Sequence, residues 1–125
     1  MTLANATPVL RVFDASKAHE FYVEFLGFAI DWRYRRQPDL PAYTQISRDA
    51  CVLHLTEHHG DCTPGSAIRI TVDDIESLKG ELGAKSYRYA RPSLAETDWQ
   101  TQEMLVTDPF GNRLTFAAPA KHGDQ

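Results

Sequence analysis

The segment LHLTEHHGDCTPG, residues 53 to 65, concentrates side chains that could bind a transition metal. It contains three histidines together with Glu57, Asp61 and Cys62, and each of these residue types ligates zinc or nickel in proteins. A site would form only if the backbone lets at least three of them reach one ion.

The spacing of His54 and His58 argues against a shared ion. Leu53 and Leu55 alternate with His54, which predicts an extended strand rather than a helix. In a strand, His54 and His58 would lie about 13 Å apart, whereas two ligands must each come within about 2 Å of the metal. The two histidines cannot meet without a sharp turn between them.

The loop that follows leaves two interpretations open. Gly60 permits a turn after His59, so the side chains of Glu57, His59 and Asp61 could converge on a metal ion. The alternative is a hydrogen-bonded loop that Asp61 stabilises and that leads into a linker. We favour the loop, and we predict neither a metal nor a cofactor.

The composition indicates one globular domain. The chain has 125 residues, 42% of them hydrophobic and 24% charged, and no apolar run approaches the length of about 18 residues that a membrane helix needs. The N-terminus does not resemble a secretion signal, so we expect a cytoplasmic protein with both cysteines reduced. Cys51 should be inert core, whereas Cys62 should be the more exposed thiol. No partner identifies either cysteine as a nucleophile.

The net charge bears on the choice of partner. The formal charge is −4 and the pI is near 5.7, and no cluster of basic residues is apparent in the sequence. Because nucleic-acid binding needs a basic surface, these features argue against a nucleic-acid partner. We also expect no membrane partner. The remaining candidates are a small molecule and another protein.

The hydrophobic pattern predicts the same order of elements twice. In the first half, a strand over residues 7–14 and a helix over 15–27 precede the strand-like segments FAIDWRYR, AYTQIS and CVLHLTE. In the second half, the strand SAIRITV and the helix DDIESLKGELG precede KSYRYA, TQEMLVT and NRLTFAA. Each half is therefore a βαβββ module, and we predict an α+β fold.

The two halves also align with each other. Residues 7–12 lie over 67–72 at an offset of 60, and His54 lies over Thr115 at an offset of 61. Such self-similarity indicates a duplicated unit. We predict a single domain over 1–125, with module one at 7–62, a linker at 63–66, module two at 67–118 and a tail at 119–125.

Two segments resemble a known superfamily. LRVFDASKAHEFYVEFLGF near the start and LVTDPFGNRLTF near the end are similar to segments of the glyoxalase, bleomycin-resistance and extradiol-dioxygenase superfamily, also called the vicinal oxygen chelate superfamily. The resemblance covers about residues 7 to 118. It implies that the two modules pair into a curved mixed sheet, a cup with the helices on its outer face. Members catalyse several reactions or only bind drugs, so the resemblance indicates the fold more strongly than the function.

Strand alternation predicts which side chains face the cup. Arg11, His54, Arg69 and Thr115 should lie on the face opposite the helices. The helix side should hold the apolar alternates, which are Leu10, Val12, Leu53, Leu55, Ile68, Ile70, Val72, Leu114 and Phe116. The alternative to a cup is an ordinary sheet face in contact with water.

The resemblance also places the metal ligands of metal-using relatives. The four positions that project into the cup fall on Thr7, His54, Ala67 and Thr115. Only His54 is a good ligand for zinc or nickel, and a stable site needs at least three protein ligands. The protein is accordingly expected to be a metal-free member.

Two arginines are candidate ligand-binding residues. Arg11 corresponds to an arginine that grips a carboxylate in glutathione-binding relatives, and Arg69 is its counterpart in module two. If both guanidinium groups open on the cup, they favour an anionic ligand through bidentate hydrogen bonds. The alternative is that each pairs with a neighbouring carboxylate and is structural.

The two tryptophans are candidate stacking platforms. Trp99 stands where bleomycin-binding relatives carry a tryptophan that stacks on the drug, and Trp32 stands where they place an aromatic residue. The alternative for each is a structural tryptophan. Together with Arg11, His54, Arg69 and Thr115, the tryptophans complete the predicted ligand-binding set, in which no residue is assigned a catalytic role.

These features favour a binder over an enzyme. We expect a homodimer that binds and sequesters a small molecule such as a bleomycin-like antibiotic, with the segment YRRQPDLPAY (34–43) reaching the second copy. The alternative is a metal-dependent glyoxalase-type lyase or isomerase, or a thiol transferase. Those reactions use the metal to stabilise a developing oxyanion, and His54 alone would not hold that metal.

Overall fold

Two four-stranded mixed sheets form the framework of the protein. The structure, a computed structural model, describes residues 1–85, 94–96 and 101–119. The first sheet contains β1 (Val9–Arg11), β2 (Ala29–Arg35), β3 (Ala42–Arg48) and β4 (Cys51–Thr56), and the second contains β5 (Ala67–Thr71), β6 (Leu94–Glu96), β7 (Thr101–Thr107) and β8 (Arg113–Pro119). The strand orders β1-β4-β3-β2 and β5-β8-β7-β6 are equivalent. The predicted α+β fold of two βαβββ modules is confirmed.

Strand register shows the duplication at the level of single residues. In the first sheet β1 runs parallel to β4, with Val9 opposite His54. In the second sheet β5 runs parallel to β8, with Arg69 opposite Thr115. These two pairs are related by the same offsets that align the halves of the sequence, so both modules use one plan of pairing.

The first helix, α1, begins as an α-helix over Ala15–Ala18 and continues as a π-helix over His19–Phe25. The side chain of Asp14 caps it by accepting hydrogen bonds from the backbone N–H groups of Ser16 and Lys17 at 2.9 and 3.0 Å. These bonds stabilise the carboxylate and lower the pKa of Asp14. The predicted helix start is therefore confirmed.

The π-helical part shows in the hydrogen bonds at the end of α1. The N–H of Leu26 donates to the carbonyl of Phe21, five residues earlier, at 2.9 Å. Gly27 then ends the helix with a φ of +78°, a conformation that favours glycine. Phe21, Tyr22 and Phe25 remain buried, so the helix still turns its aromatic side chains to the core.

The second helix, α2, covers Ile75–Gly83. The Asp74 side chain caps it through the backbone N–H of Ser77 at 3.1 Å. Ile75 and Leu82 are buried, so this side of the helix faces the core.

One hydrophobic core connects the modules. It takes its residues from α1, α2 and the helix-facing side of both sheets. The side chains predicted to face the helices are in it or packed against it: Leu10, Val12, Leu53, Leu55, Leu114 and Phe116 are buried, and Ile68, Ile70 and Val72 are partly buried. The sheet faces on the other side are left open.

The DPFGN hairpin joins the modules. The N–H of Gly111 donates to the carbonyl of Asp108 at 3.2 Å and closes a four-residue turn, and Gly111 has a φ of +91°. The side chain of Asn112 donates to the carbonyl of Arg11 at 2.9 Å and accepts from the N–H of Ser66 at 3.0 Å. The hairpin therefore holds module one and the segment that leads into β5.

The strand predicted directly after α2 falls almost entirely on residues that the structure does not describe. KSYRYA was expected to be a strand, and its residues 86–90 lie outside the described residues. A strand that the sequence pattern did not predict, Leu94–Glu96, pairs antiparallel with β7.

Within the described residues, no helix is long and apolar enough to cross a bilayer.

Candidate ligand-binding site

A cluster of three rings lies on the open face of the first sheet. Trp32, Tyr43 and His54 come from β2, β3 and β4, three neighbouring strands. The Trp32 and Tyr43 rings are stacked, with centroids 6.1 Å apart and planes inclined by 12°. The His54 ring stands edge-on to both, at 5.4 Å from Trp32 and 5.1 Å from Tyr43. We call these three residues the ring cluster.

Strand register explains why these rings meet. His54 lies opposite Gln45 in β3, and Gln45 lies opposite Trp32 in β2, so the three side chains form a row across the sheet. Tyr43 is two residues from Gln45 and therefore projects from the same face. Tyr34 lies opposite Tyr43 and adds a fourth aromatic side chain beside the cluster.

An irregularity in β2 sets the direction of Trp32. The pairing of β2 with β3 shifts between Ile30 and Trp32, which leaves Asp31 as an extra residue. Ile30 lies over Ile46 on the helix side, whereas Trp32 lies over Gln45 on the open side. Such a bulge re-aims the following side chain.

A chain of hydrogen bonds fixes His54. Its Nε2 lies 2.9 Å from Oε1 of Gln45, and its Nδ1 lies 2.8 Å from the hydroxyl of Tyr43. Because the amide oxygen of Gln45 can only accept, Nε2 carries hydrogen, and in the neutral ring Nδ1 accepts from Tyr43. Both ring nitrogens therefore already have partners within the protein.

The chain continues from Gln45 to the bulge. The Gln45 amide nitrogen donates to Asp31 at 3.1 Å, and the Ser47 hydroxyl donates to the same carboxylate at 2.9 Å. The orientation of the Gln45 amide, and with it the tautomer of His54, thus depends on Asp31.

Burial is graded across this face. Trp32 is 43% exposed and Tyr34 is 59% exposed, while Tyr43 and His54 are half-buried. Burial, and then the nearby Asp61 and Cys62, raises the pKa of the Tyr43 hydroxyl, which stays protonated and able to donate at neutral pH. The face therefore presents the accessible rings of Trp32 and Tyr34, and beneath them lie the hydrogen-bonded side chains of Tyr43 and His54.

The loop after β4 uses its side chains within the protein. Glu57 accepts from the backbone N–H of Ala42 at 2.8 Å and lies 3.7 Å from the guanidinium of Arg35. Asp61 accepts from the hydroxyl of Thr56 at 2.7 Å. In the part of the chain that the structure describes, no three histidine, cysteine or carboxylate side chains are grouped so that they could hold a metal ion.

The residues at the four metal positions of the superfamily do not fit a metal. Thr7 precedes β1 and is exposed, Ala67 has no ligating group, and Thr115 offers only a hydroxyl. His54 is the one strong ligand type among them, and its ring nitrogens are bound to Tyr43 and Gln45. This donor set does not match a zinc or nickel site.

Arg11 does not extend freely into solvent. It is 9% exposed, its guanidinium donates to the carbonyl of Val12 at 2.6 Å, and its Cζ lies 4.4 Å from the centroid of the Phe13 ring. Phe13 in turn packs against Phe110 at 5.9 Å. These contacts hold Arg11 near the junction of the modules.

Arg69 and Thr115 lie side by side on the open face of the second sheet. Arg69 forms an ion pair with Glu103 at 2.7 Å, and this hydrogen-bonded partner raises the pKa of Arg69. Glu103 also accepts from the hydroxyl of Thr101 at 3.0 Å. This arrangement matches a structural ion pair, which is the alternative to a ligand-binding role for Arg69.

The structure thus groups the predicted residues by sheet. Trp32 and His54 are brought together in the first sheet, and Arg69 and Thr115 in the second. Trp99 lies outside the described residues. Sequence reasoning missed Tyr43, Gln45 and Asp31, although the alternation in AYTQIS places Tyr43 and Gln45 on the face opposite Ala42, Thr44 and Ile46.

Comparison with known proteins gives a consistent result. A family model described as "Glyoxalase superfamily protein" matches residues 1–123. The bleomycin-binding protein of bleomycin-producing Streptomyces verticillus, solved with copper(II)-bleomycin, is 30% identical, with a TM-score of 0.67 over 98% of this chain and 99% of that one. No curated protein matches the sequence significantly.

Two further structures share the fold at lower identity. A bleomycin resistance determinant encoded on the transposon Tn5 is 22% identical, with a TM-score of 0.72 over 94% of this chain and 98% of that one. A glyoxalase family protein from Enterococcus faecalis is 16% identical, with a TM-score of 0.69 over 89% of this chain and 94% of that one.

Proposed function

The chain belongs to the glyoxalase superfamily, and on that basis we propose that it is a non-catalytic binder that sequesters a small heteroaromatic antibiotic of the bleomycin type. The observation that supports this most directly is the ring cluster, with Trp32 accessible on the open face of the first sheet. Aromatic side chains bind planar rings by offset stacking and edge contacts, and a rigid platform loses little entropy when it does so.

The donor set at the metal positions supports binding rather than metal-dependent catalysis. A lyase, isomerase or thiol transferase of this superfamily would need several strong ligands around one ion, and of the four corresponding positions, all described by the structure, only His54 supplies one. His54 is in addition held by Tyr43 and Gln45. The geometry of this face is suited to holding a ring in place.

The contacts of the arginines bear on the charge of the ligand. Arg11 is buried against Phe13, and the charge of Arg69 is balanced by Glu103. Neither presents a free guanidinium to the ring cluster, so the earlier argument for an anionic ligand loses its main support. A neutral or cationic ring system is the better match, because aromatic faces attract cations.

We also propose that the protein acts as a cytoplasmic homodimer. The open faces belong to two different sheets. A second copy that placed its Arg69, Leu105 and Thr115 over the ring cluster would convert the two faces into an enclosed pocket. Leu105, which is 52% exposed on the second sheet, supports this arrangement because it would be covered.

Calorimetric titration with bleomycin tests the proposal. We expect saturable binding with one drug per chain and a clear loss of affinity in the Trp32→Ala variant. The absence of saturable binding to bleomycin-type drugs, or full affinity in Trp32→Ala, would overturn it. Turnover of a glyoxalase or thiol-transfer substrate that depends on His54 would instead establish the enzymatic alternative.

A further inference from the structure

A cleft lies on the opposite side of the sheets from the ring cluster. It has a volume of about 860 Å³ and lies between module one and module two. Module one contributes the end of α1 and the β3–β4 turn, and module two contributes β5, α2 and Phe116 of β8. Trp32, Tyr43 and His54 are not among its lining residues, so the cleft is separate from the proposed drug site.

The floor of the cleft is apolar. Leu26, Phe28 and Phe116 belong to the buried core, with exposures of 1%, 4% and 5%. Ile70, Val72 and Leu78 line the cleft as partly buried residues packed against that core. An apolar group placed in the cleft would remove both its own surface and these partly exposed side chains from water. A cleft of this size falls within the range that holds small organic ligands.

The rim of the cleft is acidic. The charged lining residues are Asp49, Asp73, Asp74, Glu81 and Arg48, which gives a formal charge of −3. Three of the carboxylates, at Asp49, Asp73 and Asp74, are exposed at the rim. Their negative charges act together on a ligand that enters between the modules.

Among the described residues that line the cleft, the one cation, Arg48, is already paired. The guanidinium of Arg48 makes two hydrogen bonds to Glu81, at 2.7 and 2.8 Å, and a third to the carbonyl of Leu26 at 2.8 Å. The Asp74 carboxylate caps α2 by accepting a hydrogen bond from the backbone N–H of Ser77 at 3.1 Å. Arg48 therefore closes one side of the cleft rather than offering a site for an anion.

We propose that this cleft is a second binding site, one that takes a small organic cation with an apolar body. The apolar floor would hold the hydrocarbon part, and the carboxylates at Asp49, Asp73 and Asp74 would hold the ammonium group at the rim. An anion of the same shape would meet the same floor but would be repelled at the rim. The charge of the ligand, and not its size, is therefore the distinguishing property.

The chain contains its own reporter for this site. Cys51 lines the cleft, whereas Cys62, in the loop after β4, does not. Burial raises the pKa of the Cys51 thiol, so the thiol reacts slowly with alkylating reagents. A further decrease in this reaction rate when a ligand binds can be followed in time. In a Cys62→Ser variant, Cys51 is the sole cysteine of the chain.

The test measures the rate at which uncharged iodoacetamide labels Cys51 in the Cys62→Ser protein. Three probes with the same tail are compared: octyltrimethylammonium, octanol and octanoate, each below its micellar concentration. We expect octyltrimethylammonium to slow labelling in a saturable manner, octanol to act more weakly and octanoate to act least. Equal protection by octanoate, or no saturable protection by the cation, would overturn the proposal.

Variants locate the charge effect. Replacing Asp49 and Asp73 together by asparagine should weaken binding of the cation by roughly fivefold or more, since each exposed charge contributes a modest amount. Asp39→Asn is the matched control, because Asp39 is exposed in the β2–β3 connection and does not line the cleft. Trp32→Ala should leave this binding unchanged, which separates it from the drug site. If Cys51 proves unreactive, saturation-transfer NMR of the trimethylammonium protons supplies the same comparison of probes and variants, with the same outcome overturning the proposal.

Discussion

Tyr22 donates a hydrogen bond of 2.6 Å to Asp108 and so links the helix of module one to the last hairpin of module two. Both residues are buried, with exposures of 0% and 4%. Asp108 also accepts from the backbone N–H groups of Phe110 and Asn112 and from the Asn112 side chain. The carboxylate is therefore surrounded by donors, and Tyr22 is the one that comes from the other module.

Removing the Tyr22 hydroxyl should destabilise the protein without changing its fold. Tyr22→Phe keeps the ring in the core but leaves one lone pair of Asp108 without its donor, which costs about 1–3 kcal/mol. Urea denaturation followed by circular dichroism measures this loss. Tyr34→Phe is the control, since Tyr34 is 59% exposed, and we expect its unfolding midpoint to match the wild type. Equal midpoints for Tyr22→Phe and wild type would show that the link contributes nothing.

Shortening Trp32 should weaken drug binding more than it weakens the fold. Trp32→Ala removes the accessible member of the ring cluster, and we expect bleomycin affinity to fall about tenfold, or roughly 1.4 kcal/mol. Trp32→Phe keeps a stacking face and should retain most of the affinity. Calorimetric titration of both variants, with unfolding curves as a check on folding, makes the comparison. A drop of the same size in both variants would argue against stacking.

The ion pair between Arg48 and Glu81 should make stability depend on pH at the acidic end. Arg48 is the main cause of a lowered pKa of Glu81 in the folded protein. A lowered carboxyl pKa stabilises the fold above the ordinary value, about 4.3, and this contribution is lost as the pH falls through the lower folded value. Both side chains are about one-third exposed, so the pair contributes about 1 kcal/mol or less.

Glu81→Gln provides the measurement for that pair. At pH 7 the variant should be less stable than wild type, and the difference should shrink below about pH 4, where the carboxylate of the wild type becomes protonated. Glu76→Gln on the same helix is exposed and serves as the control. A stability difference that stays constant down to pH 3 would contradict the assignment.

Metal titration should show no tight site at His54. The three other superfamily positions lack strong ligands, and using His54 would cost its hydrogen bonds to Tyr43 and Gln45. Calorimetry with Zn²⁺ and Ni²⁺ should give only weak binding that is unchanged in His54→Ala. Stoichiometric, tight binding of either metal ion that disappears in His54→Ala would contradict the metal-free interpretation.

A charge at Leu105 should separate the proposed dimer. Leu105→Asp places a carboxylate on the open face of the second sheet, which a second copy would have to bury, and this is costly. We expect light scattering to show a dimer for wild type and a monomer for the variant, with bleomycin affinity reduced in parallel. A wild-type protein that is monomeric at micromolar concentration would remove the shared pocket.

Local patterns in the sequence predict much of the fold. TQEMLVT is confirmed as the strand Thr101–Thr107 with unchanged bounds, and the first helix begins at residue 15 as predicted, with Asp14 as its cap. The duplication was visible because equivalent elements recur at nearly constant offsets. These features depend on periodicity and capping, which act between near neighbours in the chain.

The remaining features depend on contacts between distant residues. The extra residue at Asp31 shifts the register of β2, and no alternation rule predicts where a strand admits one. The bond between Tyr43 and His54 follows from pairing across a turn, and the ion pair of Arg48 with Glu81 joins different modules. The ring cluster could therefore be predicted only in part, through Trp32 and His54.

The bulge at Asp31 also affects whether the edge of the first sheet can pair with a strand of another molecule. β2 is an edge strand of its sheet, and an even edge of seven residues that includes Ile30, Trp32 and Tyr34 would be a template for intermolecular strand addition. The extra residue interrupts the regular spacing of outward N–H and C=O groups, so a flat partner strand cannot align along the full edge. Removing Asp31 would therefore have two effects. It would change the direction of the Trp32 side chain, and it would restore an evenly spaced edge strand that promotes fibril-like association.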